Sequence, residues 1–348
     1  MVKTYRIKCS VCGKSYQTDK ERAKRINNIL KKDPDYLKNY KCRACKRAGK
    51  NAQSINKKVQ QIKKEVESFE FDEEMQQYIP KKAEKYINRK FGDVKDEDLI
   101  LWHFKHENPL MKNLLFIGET GTGKNALINH VCYKYKIPHA RFCLNRGITK
   151  EDLMGQTIMD EKGRFVFNYS LLIKFAKKGG IIVFDEINGA DREMMFLLHG
   201  ITDWARELIV TGNKGEVIKA VDNLLIIGCM NPPDEYGLQE LNPAFRSRFI
   251  PIYFDYSNEV DKILFNDPKL IKFVNAIREA RKQGEIETPL GTRDLMQYKL
   301  VKEGIGGYKL AKEMLINKFR DSEKSVVRTM IETYIEKSKV MDEKGGQR

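Results

Sequence analysis

Gly118-Glu119-Thr120-Gly121-Thr122-Gly123-Lys124-Asn125 is the stretch that decides the fold of this chain. An apolar run at residues 114–117 precedes it and predicts a buried strand, and the apolar spacing at residues 126–131 predicts a helix after it. The G-x-x-x-x-G-K pattern between a strand and a helix is that of a phosphate-binding loop. Its glycines let consecutive backbone N–H groups face one anion, and the helix N-terminus and Lys124 add positive charge. The stretch therefore predicts a polyphosphate site.

Asn125 stands where this pattern usually carries a Ser or Thr whose hydroxyl ligates Mg²⁺. An amide oxygen is also a hard donor, and it can reach Mg²⁺ directly or through water. We interpret Asn125 as a substituted magnesium ligand in an active site. The alternative is a site that binds nucleotide and hydrolyses it poorly.

Two carboxylates follow a second apolar run. Residues 181–184 predict a buried strand that ends in Asp185 and Glu186. In a doubly wound sheet, ligands sit at the carboxyl ends of the strands, so both side chains are expected to face the phosphates. Asp185 is predicted to hold Mg²⁺, and Glu186 is predicted to polarise the attacking water.

Polar residues also follow a third apolar run, at residues 224–229. Asn231 stands at its end, where an amide can orient water against a γ-phosphate; an Asx turn before two prolines is the alternative. Arg246 and Arg248 precede a further strand-like run. They are either part of a solvated turn or side chains that stabilise transition-state charge on a neighbouring subunit's nucleotide. Arg293 opens a helical segment in the C-terminal region.

In this order, the motifs resemble those of the AAA+ ATPases, and most of all those of the MoxR-like, dynein-related branch, which includes the small ATPase subunit of cobaltochelatase. The resemblance covers roughly residues 75–340, and its phrases are Asp152-Leu153-Met154-Gly155, Phe184-Asp185-Glu186-Ile187-Asn188, Met230-Asn231-Pro232 and Ala244-Phe245-Arg246-Ser247-Arg248-Phe249. It implies an α/β fold, with the parallel sheet of AAA+ P-loop NTPases and a C-terminal all-helical lid. It also implies ATP and Mg²⁺ as ligands.

The resemblance also implies roles for single residues. Asn231 matches sensor 1, and Arg293 matches sensor 2. Arg248 matches the arginine finger, and Arg246 matches its usual companion. A homo-oligomer, in the form of a hexameric ring that remodels a protein substrate, is implied as well, as is a partner with a von Willebrand factor A domain. The one departure from the family pattern is Asn125, which bears on the rate of hydrolysis and not on the fold.

Two β-hairpin insertions are typical of this branch, in which they face the axial pore of the ring or its partner. Residues 156–168 and 207–221 are the candidates, because each has a Gly-containing turn between β-prone runs. An ordinary surface hairpin is the alternative for either segment.

Four of the seven cysteines form two C-x-x-C pairs, Cys9 with Cys12 and Cys42 with Cys45, separated by 29 residues. This spacing predicts a tetrahedral Zn²⁺ site in a zinc ribbon or treble-clef-like module. Disulfides are the alternative, but a cytosolic ATPase sits in a reducing compartment. The remaining cysteines lie in apolar patterns and are predicted core residues: Cys132, Cys143 and Cys229.

The basic excess of the chain belongs to its N-terminal segment. Residues 1–64 hold 20 Lys or Arg against 4 Asp or Glu, which accounts for the whole net charge of +16, while residues 65–348 hold 44 of each sign. A compact basic module predicts a polyanionic partner, most simply nucleic acid. A solvated basic face is the alternative.

Composition and periodicity predict five segments: a basic zinc module at 1–50, a helical linker at 51–74, an α/β nucleotide-binding domain at 75–256, a helical lid at 257–340 and a disordered tail at 341–348. A hydrophobic content of 41% suffices for a sizeable core. No apolar run approaches the length of a membrane span, and the N-terminus lacks the apolar stretch of a signal peptide. We therefore expect no membrane contact and a cytoplasmic location.

Three functions follow from these features. The leading hypothesis is a ring-forming ATPase that remodels a protein partner. The first alternative is a nucleic-acid-coupled AAA+ motor or loader that uses the basic zinc module. The second is a nucleotide-dependent scaffold with little turnover, which Asn125 suggests.

Overall fold

The computed structural model describes residues 6–8, 10, 14–17, 25–26, 29, 43–144, 147–232, 240–304 and 306–336. The chain divides into two compact units. The smaller spans Met1–Glu65 and Gly92–Val94, and the larger spans Val66–Phe91 and Lys95–Arg348. Within the described ranges, every helix is too short or too polar to cross a bilayer.

The strands of the described residues are β1 (Arg6–Lys8), β2 (Ser15–Gln17), β3 (Lys90–Phe91), β4 (Val94–Lys95), β5 (Asn113–Ile117), β6 (His139–Cys143), β7 (Gly155–Met159), β8 (Phe165–Tyr169), β9 (Gly180–Asp185), β10 (Glu207–Val210), β11 (Glu216–Lys219), β12 (Leu224–Met230) and β13 (Ile250–Tyr253).

The α-helices of the same residues are α1 (Arg43–Glu67), α2 (Glu73–Gln76), α3 (Asp96–Lys105), α4 (Lys124–Lys134), α5 (Lys150–Met154), α6 (Leu171–Lys178), α7 (Arg192–Thr202), α8 (Pro243–Arg246), α9 (Asn258–Phe265), α10 (Pro268–Lys282), α11 (Thr292–Glu303), α12 (Gly307–Ile316) and α13 (Lys324–Ile331). Short 3₁₀ turns lie at Pro109–Met111 and Ile187–Gly189, and a π-helical turn lies at Glu332–Glu336.

In the smaller unit, β1 and β2 form an antiparallel pair. Three of the predicted zinc ligands, Cys9, Cys12 and Cys42, lie outside the described residues, as does the side chain of Cys45. The zinc site therefore stays a prediction.

A parallel sheet of five strands forms the centre of the described part of the larger unit, in the order β13-β5-β12-β9-β6. The inner strands β5, β12 and β9 are buried along their whole length. Apart from Asn113 and Asp185 at their ends, these strands are continuous apolar runs, as expected where both faces of a parallel sheet are covered. The predicted α/β fold with a parallel sheet is confirmed.

The strand order brings three functional segments to one edge of the sheet. Strand β12 lies between β5 and β9, and Cys229 pairs with Phe116 on one side and with Asp185 on the other. The phosphate loop follows β5, Asp185 ends β9, and Asn231 follows β12. All three therefore lie at the carboxyl edge, where doubly wound folds bind their ligands.

Both predicted hairpins are confirmed. Strand β7 pairs with β8, and β10 pairs with β11, each in antiparallel register. Asp160 fixes the turn of the first hairpin, because its carboxylate accepts hydrogen bonds from the backbone N–H groups of Lys162 and Arg164, each at 2.9 Å. The turn is thus held by side chain to backbone bonds of the Asx type.

Helices α9 to α13 surround a second core, C-terminal to the sheet. Its fully buried side chains include Phe273, Val274, Ile277, Leu295, Ala311, Ile316 and Val327. The side chains of Ser257 and Asp267 cap α9 and α10, and Pro268 opens α10 at a position where its missing N–H costs no helical bond. The C-terminal helices expected from the sequence are present.

Candidate active site

The phosphate loop joins β5 to α4 as the sequence predicts. Gly121 and Gly123 have φ angles of 79° and 93°, in the left-handed region that favours glycine. Gly123 is also the N-cap of α4. Thr122 is buried and donates its hydroxyl to the carbonyl oxygen of Glu119 at 2.8 Å. A glycine-rich turn at a helix N-terminus supplies backbone N–H donors and a partial positive charge, so this loop fits a phosphate chain.

The ammonium group of Lys124 lies against the loop. The residue is 8% exposed, and its Nζ donates to the carbonyl oxygens of Gly118 and, at 3.1 Å, of Glu119. It also lies 3.3 Å from Asn231 Oδ1. The structure thus brings the lysine and the strand-end asparagine together. A bound phosphate would compete with these oxygens for the ammonium group, because a charged acceptor makes the stronger hydrogen bond.

Two carboxylates lie at the end of β9. Asp185 is 9% exposed, and its Oδ2 accepts from Asn125 Nδ2 at 3.0 Å and forms an ion pair with Arg141. Glu186 has φ 54° and ψ 40°, and its Oε2 lies 3.5 Å from Cys143 Sγ. The left-handed backbone costs a residue other than glycine about 1 kcal/mol. Strain of this kind concentrates at functional sites.

Both ends of the Asn125 amide are engaged. Its nitrogen donates to Asp185, which accepts only, and its oxygen lies 3.7 Å from Cys229 Sγ. Burial raises the pKa of Cys229 to about 12, so its thiol is protonated at neutral pH and can donate. In this arrangement the amide nitrogen, and not the oxygen, faces the carboxylate. Magnesium ligation by Asn125 stays a prediction.

The cysteine predictions divide. Cys132 and Cys229 are buried, as predicted, but the prediction of Cys143 as a core residue is wrong, because its side chain is exposed at the end of β6. Strand β6 is an edge strand, so some of its side chains are exposed, whereas every residue of the inner strands is buried. Burial and the neighbouring Glu186 raise the pKa of the Cys143 thiol, so it remains a hydrogen-bond donor to that carboxylate.

A cavity of about 900 Å³ lies over these groups. Its described lining comes from residues 82–87 and Arg89, the phosphate loop, the ends of β6 and β9, and helices α9 and α11. Arg293, the residue matched to sensor 2, lines it from α11, close to the apolar side chains of Val260, Leu264 and Met296. The volume and the mixture of apolar wall and charged floor are those of a small-molecule site.

Two side chains that the sequence analysis missed hold one wall of this cavity. Arg89 donates from Nη1 to the carbonyl oxygen of Asp255 at 2.9 Å and from Nη2 to that of Thr122 in the phosphate loop. The Tyr86 hydroxyl lies 2.5 Å from Asp96 Oδ2. Burial raises the pKa of both Tyr86 and Asp96. The residues that hydrogen-bond to Arg89 and Tyr86 are distant in the sequence or belong to another element, so no local sequence pattern identifies either side chain.

The helical region contacts the phosphate loop directly. The Tyr256 hydroxyl donates to the carbonyl oxygen of Thr120 at 2.8 Å, and Arg281 Nε lies 3.2 Å from Glu119 Oε1. At Gly291, an added Cβ would lie 2.9 Å from the Thr120 oxygen, which leaves room for glycine alone. The loop and the C-terminal helices are therefore in close contact on the side of the cavity.

Arg246 and Arg248 lie elsewhere. Arg248 Nη2 lies 3.3 Å from Asp203 Oδ2, and its backbone oxygen accepts from Asn113 Nδ2 at 3.1 Å. Arg246 is exposed, with its Nη2 3.3 Å from the Tyr253 hydroxyl. Neither arginine is among the described residues that line the 900 Å³ cavity. Arg246 instead lines a smaller cavity of about 310 Å³, together with Gly118 and Glu119 at the start of the phosphate loop, whereas Arg248 lines neither cavity.

The donor set at the carboxyl edge fits Mg²⁺ bound together with a nucleotide. Asp185 offers a carboxylate, and Mg²⁺ commonly takes one or two protein oxygens and completes its shell with phosphate oxygens and water. In the described ranges, groups of three or more His, Cys, Asp or Glu arranged around a metal position are absent. A site that relies on substrate oxygens does not need such a group.

Comparison with known proteins assigns the family. Residues 113–249 match the AAA domain (dynein-related subfamily). An uncharacterized protein of Staphylococcus aureus is 32% identical over 192 residues, which cover 51% of this chain and 72% of that protein. The chain belongs to the dynein-related subfamily of AAA domain proteins. It is an ATPase of the AAA type.

Two further relatives of this AAA ATPase differ greatly in length. The denitrification regulatory protein NirQ of Stutzerimonas stutzeri is 24% identical over 251 residues, which cover 69% of this chain and 89% of NirQ. Midasin of Dictyostelium discoideum is 28% identical over 244 residues, which cover 64% of this chain and 4% of midasin. The similarity to midasin therefore concerns a small part of that protein.

Proposed function

We propose that this AAA ATPase hydrolyses Mg²⁺–ATP in a homo-oligomeric ring and uses the energy to remodel a protein partner. The observation that best supports the catalytic part is the meeting of Lys124, Asn231, Asp185 and Glu186 at one edge of the sheet, beneath a cavity of about 900 Å³. These are the groups that phosphoryl transfer to water requires: a phosphate-binding cation, a metal-holding carboxylate and a group that polarises water.

Each residue has a proposed role. The loop N–H groups and Lys124 bind the β- and γ-phosphates and balance their charge. Asp185 and Asn125 would hold Mg²⁺, which would supply positive charge to balance that of the phosphate oxygens. Glu186 accepts a hydrogen bond from the attacking water and so polarises it, and Asn231 orients that water. Glu186 must exchange its present donor, the Cys143 thiol, for the water before this step.

The proposed ring rests on the two arginines. Arg248 and Arg246 do not line the 900 Å³ cavity of their own chain, although arginines in this position of the family pattern stabilise charge on a transferring phosphate. A neighbouring copy that supplies Arg248 to this cavity resolves the difference. Arg293 acts within the chain, because it lines the cavity from α11. A hexamer is the ring size that the family resemblance implies.

The proposed protein partner is supported by the two hairpins. Their outer cross-strand pairs are apolar, and each of these side chains is exposed: Met159 with Phe165, and Ile209 with Val217. Groups of exposed apolar side chains often mark sites of interaction with other proteins, whereas single exposed apolar residues are common on any surface. A von Willebrand factor A domain protein is the partner class that the family resemblance implies.

Nucleic acid is a second proposed partner, and the charge of the N-terminal segment favours it. The whole net charge of +16 lies in residues 1–64, where the zinc site at the four cysteines is also proposed. A motor or loader on nucleic acid would use this segment to hold the backbone phosphates. A scaffold with little turnover remains the outcome if hydrolysis is absent.

Substitution of Glu186 by Gln tests the catalytic proposal. We expect Glu186→Gln to lose at least about 100-fold in kcat, because an amide does not polarise water as a carboxylate does, while ATP affinity measured by calorimetry stays within a few-fold of the wild type. Glu303→Gln on the exposed end of α11 is the matched control and keeps full turnover. Wild-type protein that binds ATP but shows no turnover above the Glu186→Gln background would instead support the scaffold.

A further inference from the structure

One oxygen of Asp185 has two hydrogen-bond partners, and one of them is a cation. Oδ2 accepts from the Asn125 amide at 3.0 Å and from the guanidinium of Arg141. The Asp185 side chain is 12% exposed, whereas that of Arg141 is 54% exposed. The carboxylate to which we assign Mg²⁺ is therefore already occupied by a cation of the chain itself.

The position of Arg141 on its strand fixes this contact. Arg141 and Cys143 are two residues apart on β6, so their side chains lie on the same face of the sheet. In the register with β9, Arg141 pairs with Val183 and Cys143 pairs with Asp185. Arg141 thus reaches Asp185, and Cys143 reaches Glu186, from one edge strand. Both of the proposed catalytic carboxylates are approached from the same side.

We propose that Arg141 is a positioning residue that competes with Mg²⁺ for Asp185. This inference rests on the metal-holding role proposed for Asp185. Without metal, the guanidinium neutralises the carboxylate, so a nucleotide meets no uncompensated negative charge beside the phosphate loop. With Mg²⁺–nucleotide in the site, Asp185 would exchange the guanidinium for the metal, and the Arg141 side chain would move aside.

The exposure of the pair makes this exchange feasible. The guanidinium of Arg141 is half exposed, so water solvates it once it leaves Asp185. The Arg141 side chain also lines the open cavity, so it has space in which to move. Asp185 is the fixed member, since it is nearly buried and is also held by Asn125.

The test is the Mg²⁺ dependence of nucleotide binding, measured by calorimetry with the non-hydrolysable analogue AMP-PNP. Wild type, Arg141→Met and Arg141→Lys are each titrated in excess Mg²⁺ and in EDTA. In EDTA we expect Arg141→Met to bind on the order of tenfold more weakly than the wild type, because Asp185 then repels the phosphates. In Mg²⁺ its affinity should equal or exceed that of the wild type. Arg141→Lys should restore binding in EDTA, because it keeps the charge.

Arg328→Met is the matched control. Arg328 forms a two-point ion pair with Glu313 on the surface of the helical region, and its loss should leave the ratio of the two affinities unchanged. An Asp185→Asn, Arg141→Met double variant should bind AMP-PNP in EDTA as Asp185→Asn alone does. The comparison of single and double variants shows whether Arg141 acts through Asp185. Thermal melts of each variant show whether it is still folded.

The inference is overturned if the ratio of the affinities with and without Mg²⁺ is the same in Arg141→Met as in the wild type. If both affinities also fall by the same factor, the result indicates a direct contact of Arg141 with phosphate. If the wild type fails to bind AMP-PNP even in Mg²⁺, the proposed function itself falls.

Discussion

Asp203, which ends helix α7, accepts a hydrogen bond from the guanidinium of Arg248 across 3.3 Å. The backbone N–H of Trp204 and the charge of Arg248 lower the pKa of Asp203, so the carboxylate is ionised at neutral pH. Nearby, His199 of α7 stacks on Phe245, with ring centroids 5.0 Å apart. Helix α7, which leads into the second hairpin, is therefore in contact with the segment that carries the proposed arginine finger.

This contact predicts that Asp203 restrains Arg248 within its own chain. Asp203→Asn should raise ATPase activity at low protein concentration by up to about fivefold, because an exposed ion pair contributes about 1 kcal/mol at most. Asp191→Asn at the other end of α7 is the control, because asparagine also caps helices well. A fall in activity after Asp203→Asn would show that Asp203 orients the finger and does not restrain it.

Turnover is expected to depend on contacts between chains. Arg248→Ala should lose at least about 100-fold in kcat, since transition-state charge on the neighbour's nucleotide is left uncompensated. Mixing Arg248→Ala with Glu186→Gln protein should restore part of the activity, because some interfaces then combine an intact finger with an intact glutamate. The rate is measured by phosphate release at several mixing ratios. Unchanged hydrolysis in Arg248→Ala alone would exclude the finger role.

Asn125→Thr should keep or raise the ATPase rate. A threonine hydroxyl is the usual Mg²⁺ ligand at this position, and it is also able to donate to Asp185 as the present amide does. The rate is compared with wild type over a range of Mg²⁺ concentrations. A loss greater than about tenfold would mean that the contact of the amide with Cys229 is required, a conclusion that Cys229→Ala would check.

Acid is expected to destabilise the larger unit through His103. Burial lowers the pKa of His103 to about 4, and its Nδ1 lies 2.7 Å from the carbonyl oxygen of Met111. The unfolded chain takes up this proton near pH 6.5 and the folded chain does so only near pH 4. The free energy of unfolding should therefore fall as the pH drops through that window, by roughly 3 kcal/mol.

Urea unfolding at a series of pH values measures this slope, and His103→Gln should flatten it. Burial also lowers the pKa of His139, so the variant should retain part of the pH dependence. An identical slope in the wild type and in His103→Gln would contradict the assignment.

The N-terminal segment should bind one Zn²⁺ per chain, and any nucleic-acid affinity should fall steeply with salt. Phosphate contacts release counterions, so between about 50 and about 200 mM salt the affinity should drop by at least about tenfold. Fluorescence anisotropy of the full chain with single- and double-stranded oligonucleotides measures this, with Cys9→Ser as the zinc-free control. Absence of binding at low salt would mean that the basic residues form a solvated surface and do not bind nucleic acid.

The sequence predicts the parts of the site that follow buried strands. The phosphate loop, Asp185 and Asn231 each come directly after an apolar run, and parallel strands bring such ends together regardless of loop detail. The predicted parallel sheet and both predicted hairpins are also present. Their signals are local, because strand runs and turns depend on neighbouring residues.

The sequence does not predict the side chains that reach the site from elsewhere. Arg141 meets Asp185 from an edge strand 44 residues earlier, and Arg89 meets the loop across 33 residues. Such pairs depend on strand order and register, which apolar periodicity leaves open. The wrong prediction for Cys143 has the same origin, because the apolar residues around Cys143 do not indicate that its strand lies at the edge of the sheet.

Asn113 links the strand that precedes the phosphate loop to the backbone of Arg248. It begins β5, and its amide donates to the carbonyl oxygens of Thr202 at 2.6 Å and Arg248 at 3.1 Å, while the phosphate loop follows the other end of the same strand. The five residues of β5 are buried, pair with β12 and β13, and span about 16 Å. The backbone of Arg248 is therefore hydrogen-bonded to the strand whose other end carries the phosphate loop, so a shift of that strand along its axis would move this backbone with it.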